Sequence, residues 1–270
     1  MTLTNTSTPA AGNATLMRAT LSEVIKLATL LSNKILAGIA LLMIAGSGAL
    51  SALALTTRAS NPKFAQETIT ANPLQFVDSV LWAQVIIAIL AVLSVTNEYV
   101  SGQIKLSLLA TPTRIPVLAA KTIAVASVAF VIGAVGALLS LSISLPIIGS
   151  TRIVYNLDPG VAVGLILGSG IYLAAIAILS TGLAMILRNV IAALAVTIPL
   201  ITILPAILSS IPIEPVREAV SFFPTIAGRM IISNMNTSVP LTPWGGYCVL
   251  LAWAAIAWAL AAFLLWRRDA

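Results

Sequence analysis

Long uncharged stretches separated by short polar clusters set the pattern of this chain. Six of them are of roughly the 17–25 residues that a helix needs to cross a bilayer's hydrocarbon. They run from about Ile35 to Thr57, Ser79 to Thr96, Thr122 to Pro146, Gly160 to Leu187, Val190 to Ser209 and Thr242 to Trp266. Asp158-Pro159 and Thr242-Pro243 read as a cap residue followed by a first-turn proline, which opens the fourth and sixth helices. Arg188-Asn189 forms a tight polar turn between the fourth and fifth. Pro199 and Pro205 predict a kink in the fifth. The expected fold is all-α, with six transmembrane helices.

Three further stretches fit neither a span nor a plain loop. From Met17 to Leu31, apolar residues recur at helical spacing with Arg18, Ser22, Glu23 and Lys26 on other faces, and Thr20 with Glu23 fits a capping box. Ser32-Asn33-Lys34 separates this amphipathic helix from the first span. It therefore reads as an elbow lying in the membrane interface rather than as an extension of that span. The segment Asn97–Lys121 is the one sizeable loop on the side of the termini. Gly102 ends the second span there, and Ile104, Leu106, Leu108 and Leu109 form a short apolar cluster with Lys105 among them. Pro112 stops the cluster, and Arg114 and Lys121 lead into the third span. Such a face must be buried in the membrane surface or in a partner. Between the fifth and sixth spans, Ile211–Leu241 is rich in proline but holds apolar pieces, Ala219–Phe223 and Ile226–Ile232, expected to dip into the far interface as a re-entrant segment.

Composition sharpens the class. The chain is 59% hydrophobic and 8% charged, against about a quarter charged in soluble domains. The absence of histidine and the presence of one cysteine remove the commonest general base, an internal disulfide and any Cys-cluster metal site. Of the basic residues, nine fall on the side of the termini and five on the other. With the acids included, the first side nets +6 and the second zero. By the positive-inside rule both termini are cytoplasmic. The charge then faces anionic headgroups, and no nucleic acid is needed to explain it. Residues 1–15, polar and without the pattern of a signal peptide, read as a disordered cytoplasmic tail, and 16–270 as the transmembrane domain. The six uncharged runs hold no Asp, Glu, Lys, Arg or His of the kind an ion-coupled transporter usually needs buried, and of the acid, imidazole or thiol groups of a membrane-embedded transferase they hold only Cys248. A sensor or assembly protein without transport activity stays open as an alternative. Among the polar residues inside the runs, Gln84 is a weak substrate-contact candidate, for which packing is the plainer role. Gly160, Gly164 and Gly168 form a small-residue ridge for close helix packing.

The ordered set Glu98, Gly102, Leu108, Pro112, Arg114 and Lys121, with Gln103 where threonine is usual, resembles type-2 ATP-binding-cassette (ABC) exporter permeases. SEVIKL (Ser22–Leu27), FFPTIAG (Phe222–Gly228), TPWGGY with the terminal WRRDA, and the six-span layout are similar to that family as well. The resemblance implies that Gly102–Leu109 is a coupling helix docked on a separate ATPase. Ile104 and Leu108 would be its plugs, Gln103 would sit at its start, and Lys105 and Arg114 would be its polar flank. Glu98 would pair with a basic residue of the elbow or of a neighbouring helix. It also implies a pair of permeases, two copies of this chain or this chain with a relative, in a bacterial cytoplasmic membrane. The pair would export a hydrophobic or amphipathic drug, peptide or lipid. The sequence contains no phosphate-binding loop, so the chain is expected not to be an enzyme: ATP and Mg²⁺ would belong to the partner.

Overall fold

The computed structural model describes residues 16–64, 68–102, 114–149, 153–155, 157–232 and 241–267. Among them six helices are long and apolar enough to cross a membrane, at Leu31–Ala59, Leu74–Val100, Ile115–Ile148, Pro159–Leu187, Val190–Ser209 and Pro243–Arg267. The protein is thus an all-helical, multi-pass membrane protein. These helices extend beyond most of the uncharged runs, because a backbone keeps its hydrogen-bond ladder past the first charged side chain. The extension carries Glu98 into the end of the second helix and Lys121 into the first turns of the third.

In chain order, α1 (Leu16–Thr29) meets α2 (Leu31–Ala59) at a one-residue break, Leu30, whose φ/ψ of −70°/123° is extended. The break falls two residues before the expected Ser32-Asn33-Lys34. The capping box does not form. Thr20 lies inside α1 and its hydroxyl donates to Leu16 O at 2.9 Å, while Glu23 is engaged elsewhere. A short α3 (Leu74–Val77) turns directly into α4 (Val80–Val100), and α5 (Arg114–Ile148) follows. Next comes α6 (Pro159–Leu187), with Asp158 at its N-cap but no side-chain cap bond. Arg188 closes it at φ 52°, and Asn189 Oδ1 caps the next helix by accepting from Ala192 N–H at 3.0 Å.

The fifth span is a composite of α7 (Val190–Ile198), a π-helical turn (Pro199–Ile203) and α8 (Leu204–Ser209). The expected kink takes the form of this π turn, in which Leu204 N–H reaches Pro199 O. Pro205 has no N–H to offer the carbonyl of Ile201, four residues back, so that carbonyl lacks its α-helical donor. Two short helices, α9 (Glu214–Val220) and α10 (Pro224–Arg229), precede α11 (Pro243–Arg267). The side chain of Thr242 caps α11 at Gly245 N–H, 3.1 Å.

Helix α6 is central, packed by α4, α5 and α11, and it supplies several of the fully buried large side chains, Tyr172, Leu173, Ile176 and Leu179. Its contact with α5 is close because both backbones are bare. A Cβ on Gly133 would lie 2.6 Å from Ser169 O, so only glycine lets the two helices approach so far. The proposed ridge on α6 behaves differently along its length. A Cβ on Gly168 would meet Ile231 O at 2.9 Å, but Gly164 has nothing within 4 Å and Gly160 meets only Asp158. Gly168 thus lies against the backbone of the segment after α10, while Gly160 and Gly164 line a cleft.

Candidate functional site

At one end of the bundle three elements converge on four charges. Glu98 stands near the C-terminus of α4, Lys121 in the second turn of α5, and Glu23 and Lys26 are on α1. Lys121 Nζ donates to Glu23 Oε2 at 2.6 Å and lies 2.8 Å from Glu98 Oε1. Lys26 Nζ donates to Glu23 Oε1 at 2.6 Å and to Glu98 Oε1 at 3.3 Å. The Lys121 ammonium also approaches Ser94 O at 3.4 Å. The Lys121 side chain is 3% exposed and that of Glu98 9%, so this is an interior cluster and not a set of solvated surface pairs. Burial raises the Glu23 pKa, but the Lys121 and then the Lys26 ammonium outweigh it and hold the carboxyl below its ordinary value. Burial acts to lower the Lys26 pKa, and the two glutamates more than reverse it.

The position of the cluster gives it meaning. Val100 ends α4, Ser101 caps it, and Gly102 adopts φ +71°, the left-handed conformation that stops helices at glycine. Glu98 is therefore one turn before the 101–113 connection, and Lys121 two turns after it. The ion cluster clamps both roots of that connection to each other and to α1. Gln103, Ile104, Lys105, Leu108 and Pro112 lie outside the described residues, as does the side chain of Arg114, whose backbone opens α5. Beside the cluster, Val92, Val95, Leu118, Met185 and Leu265 form a separate apolar core. Tyr99 Oη contacts Met185 Sδ at 3.4 Å, and the Arg188 guanidinium sits 5.4 Å from the Tyr99 ring centre. Trp258 of α11 donates to Thr122 Oγ1 at 3.2 Å, which brings the last helix to the same end.

A second polar group lies within the apolar bundle, and it answers the question posed by Gln84. Its Oε1 accepts from Tyr172 Oη at 2.5 Å, and its Nε2 lies 3.5 Å from Ile201 O. The Thr225 hydroxyl of α10 lies 3.3 Å from Gln84 Oε1 and donates to Ile201 O. The carbonyl that Pro205 leaves without its α-helical donor thus receives donors from α4 and α10. Gln84 is 2% exposed and Tyr172 fully buried. The amide joins four elements. Neither Tyr172 nor Thr225 was singled out from sequence, although a phenol deep in an apolar run implies a buried acceptor.

The connection holding α10 is tightly seated at the opposite end. A Cβ on Gly246 of α11 would meet Ala227 O at 2.3 Å. Trp253 donates to Phe222 O at 2.9 Å, and Arg229 pairs with Asp78 at 2.8 Å. No family model matches the chain, and no curated protein does.

Proposed function

We propose that this chain is the permease subunit of an ATP-driven exporter of the type-2 ABC kind, moving a hydrophobic or amphipathic compound outward with energy from a separate ATPase. The observation that carries the reading is the buried Glu23–Lys26–Glu98–Lys121 cluster. It fixes both roots of the 101–113 connection to α1, so a push on that connection moves α1, α4 and α5 together. A loop that only joined two spans would not require such a clamp.

In this reading the end carrying the cluster is cytoplasmic, as the nine-to-five split of basic residues favours. On α1, Met17, Leu21 and Ile25 are exposed while Leu27 is buried against the bundle. An apolar stripe turned outward beside charged neighbours suits an elbow in the inner interface. Residues Gly102–Leu109 then form the coupling helix, with Ile104 and Leu108 as plugs and Gln103, Lys105 and Arg114 around them. Helices α9 and α10 form the external re-entrant segment. ATP and Mg²⁺ are bound by the ATPase partner, and a second permease completes the transporter.

The test is co-purification of the tagged chain with its candidate ATPase. Binding is expected with the wild type and lost on Ile104→Asp with Leu108→Asp. Retained binding in the double variant overturns the coupling assignment. Vesicle export that persists with a hydrolysis-dead ATPase overturns the transport assignment.

A further inference from the structure

A cleft of about 710 Å³ opens at the end of the bundle remote from the charge cluster, a volume within the range of small-molecule sites. One wall is the first half of α6, where Val161, Gly164, Leu165, Gly168 and Ile171 follow one another along a face. The other walls come from Leu74, from Ile231 and Ile232 beyond α10, and from Pro243 and Trp244 of α11.

Three features define what fits. The first is depth. From Gly160 to Ile171 the helix rises about 16 Å at 1.5 Å per residue, close to the roughly 15 Å of hydrocarbon in one leaflet. The second is the floor. Gly164 has nothing within 4 Å of a built Cβ, so the absent side chain leaves a trough rather than a packing seam. The third is the mouth. Trp244, 68% exposed, suits the headgroup level, and Asn72 and Asp158 stand at the same end. Asp158 is the one ionisable group among the described lining residues, and its carboxylate makes no cap bond. An apolar channel of leaflet length with one anion at its mouth matches a hydrocarbon chain bearing a cationic head.

We propose that this cleft is a lateral binding site for a single-chain amphiphile with an amine or quaternary ammonium head, reached from the leaflet on that side. The site requires the protein to be embedded in a membrane, and it does not require an ATPase. Its failure would therefore leave the exporter reading standing, and the reverse.

The experiment uses the full chain in nanodiscs of zwitterionic lipid and a hexadecyltrimethylammonium probe carrying a mid-chain diazirine. Adducts are mapped by peptide mass spectrometry. Labelling is expected to concentrate on residues 160–171 and 231–232. Gly164→Phe places a ring in the trough and should reduce that labelling by about tenfold, as expected when a shaped apolar pocket is blocked. Gly38→Phe adds the same ring on α2, at a glycine that also has nothing within 4 Å, and should leave it unchanged. Asp158→Asn should reduce labelling by the cationic probe about threefold, the scale of one exposed charge pair, and leave a neutral hexadecanol probe unaffected. This variant keeps the test open if Gly164→Phe fails to fold. Labelling spread evenly over the lipid-facing helices overturns the site. So does cationic-probe labelling of Asp158→Asn as strong as that of the wild type, or a disulfide-linked dimer of Gly164→Cys, which would assign the cleft to a second copy.

Discussion

Replacing Lys121 by methionine removes the ammonium at the centre of the charge cluster and keeps most of the side chain's length. Two carboxylates, Glu23 at 2.6 Å and Glu98 at 2.8 Å, lose their shared partner, and among the described residues Lys26, 43% exposed, remains for both. Taken alone, each lost contact represents a few kcal/mol of attraction at an effective dielectric near 20. The carboxylates recover part of this by relaxing toward water. Breaking a buried pair from one side costs about 3–5 kcal/mol, so we expect about 4 kcal/mol here. At about 2–4 °C per kcal/mol for a chain of this size, the thermal midpoint in detergent should fall by about 10 °C. Adding Glu98→Gln removes one stranded charge, so the double variant should be more stable than Lys121→Met alone. The pair should depart from additivity by about 1–3 kcal/mol. A loss under about 1 kcal/mol in Lys121→Met, or additive single and double variants, would refute the view that these charges form one buried unit.

The same cluster sets a pH dependence. The Glu23 carboxyl is held below its ordinary 4.5 and the Lys26 ammonium above its ordinary 10.5. The stability from Glu23 is therefore present above 4.5 and lost as pH falls through its folded value, while that from Lys26 is present below 10.5 and lost as pH rises through its own. A thermal-midpoint profile should show the acid limb in wild type and a flatter one in Glu23→Gln. Tyr172→Phe removes a donor from Gln84 Oε1 in a fully buried place and should cost about 1–3 kcal/mol, read as a lower unfolding midpoint with unchanged helical circular dichroism. Gly246→Ala puts a methyl group against the backbone oxygen of Ala227 and should cost about 1–3 kcal/mol. Gly164→Ala, with open space around it, should stay within about 0.5 kcal/mol. Equal midpoints for the two alanine variants would contradict the packing described at α10.

Much of the fold could be read from the sequence because lipid imposes a coarse rule. A backbone in hydrocarbon must close its own hydrogen bonds, so each crossing announces itself as a long apolar run. The Arg188-Asn189 turn, the start of α11 at Thr242-Pro243 and the end of α4 near Gly102 were legible for the same reason: each rests on a local backbone preference. What remained hidden was contact between distant segments. Glu23 looked like half of a capping box with Thr20, a pairing local enough to see, and only the approach of α5 makes Lys121 the stronger partner. The three-glycine ridge was visible as a pattern, but which glycine touches another backbone depends on how far α10 and its sequel reach along α6. Gln84 was flagged as an amide in need of a partner, and the partner turned out to include a carbonyl that a proline four residues away had left without its α-helical donor. Spacing along one helix cannot show a partner on another.

That carbonyl also bears on how the chain is made. A peptide oxygen left unpaired in hydrocarbon costs several kcal/mol, and the fifth span enters the bilayer without the α-helical donor for Ile201 O, since Pro205 has no N–H. Gln84 belongs to a span synthesised earlier, whereas Thr225 emerges only afterwards. The order of synthesis therefore supplies an amide donor first and a hydroxyl second, and the later segment locks a junction already begun. Maturation of the membrane domain would then finish at α10, with residues 190–209 held provisionally until that short helix seats.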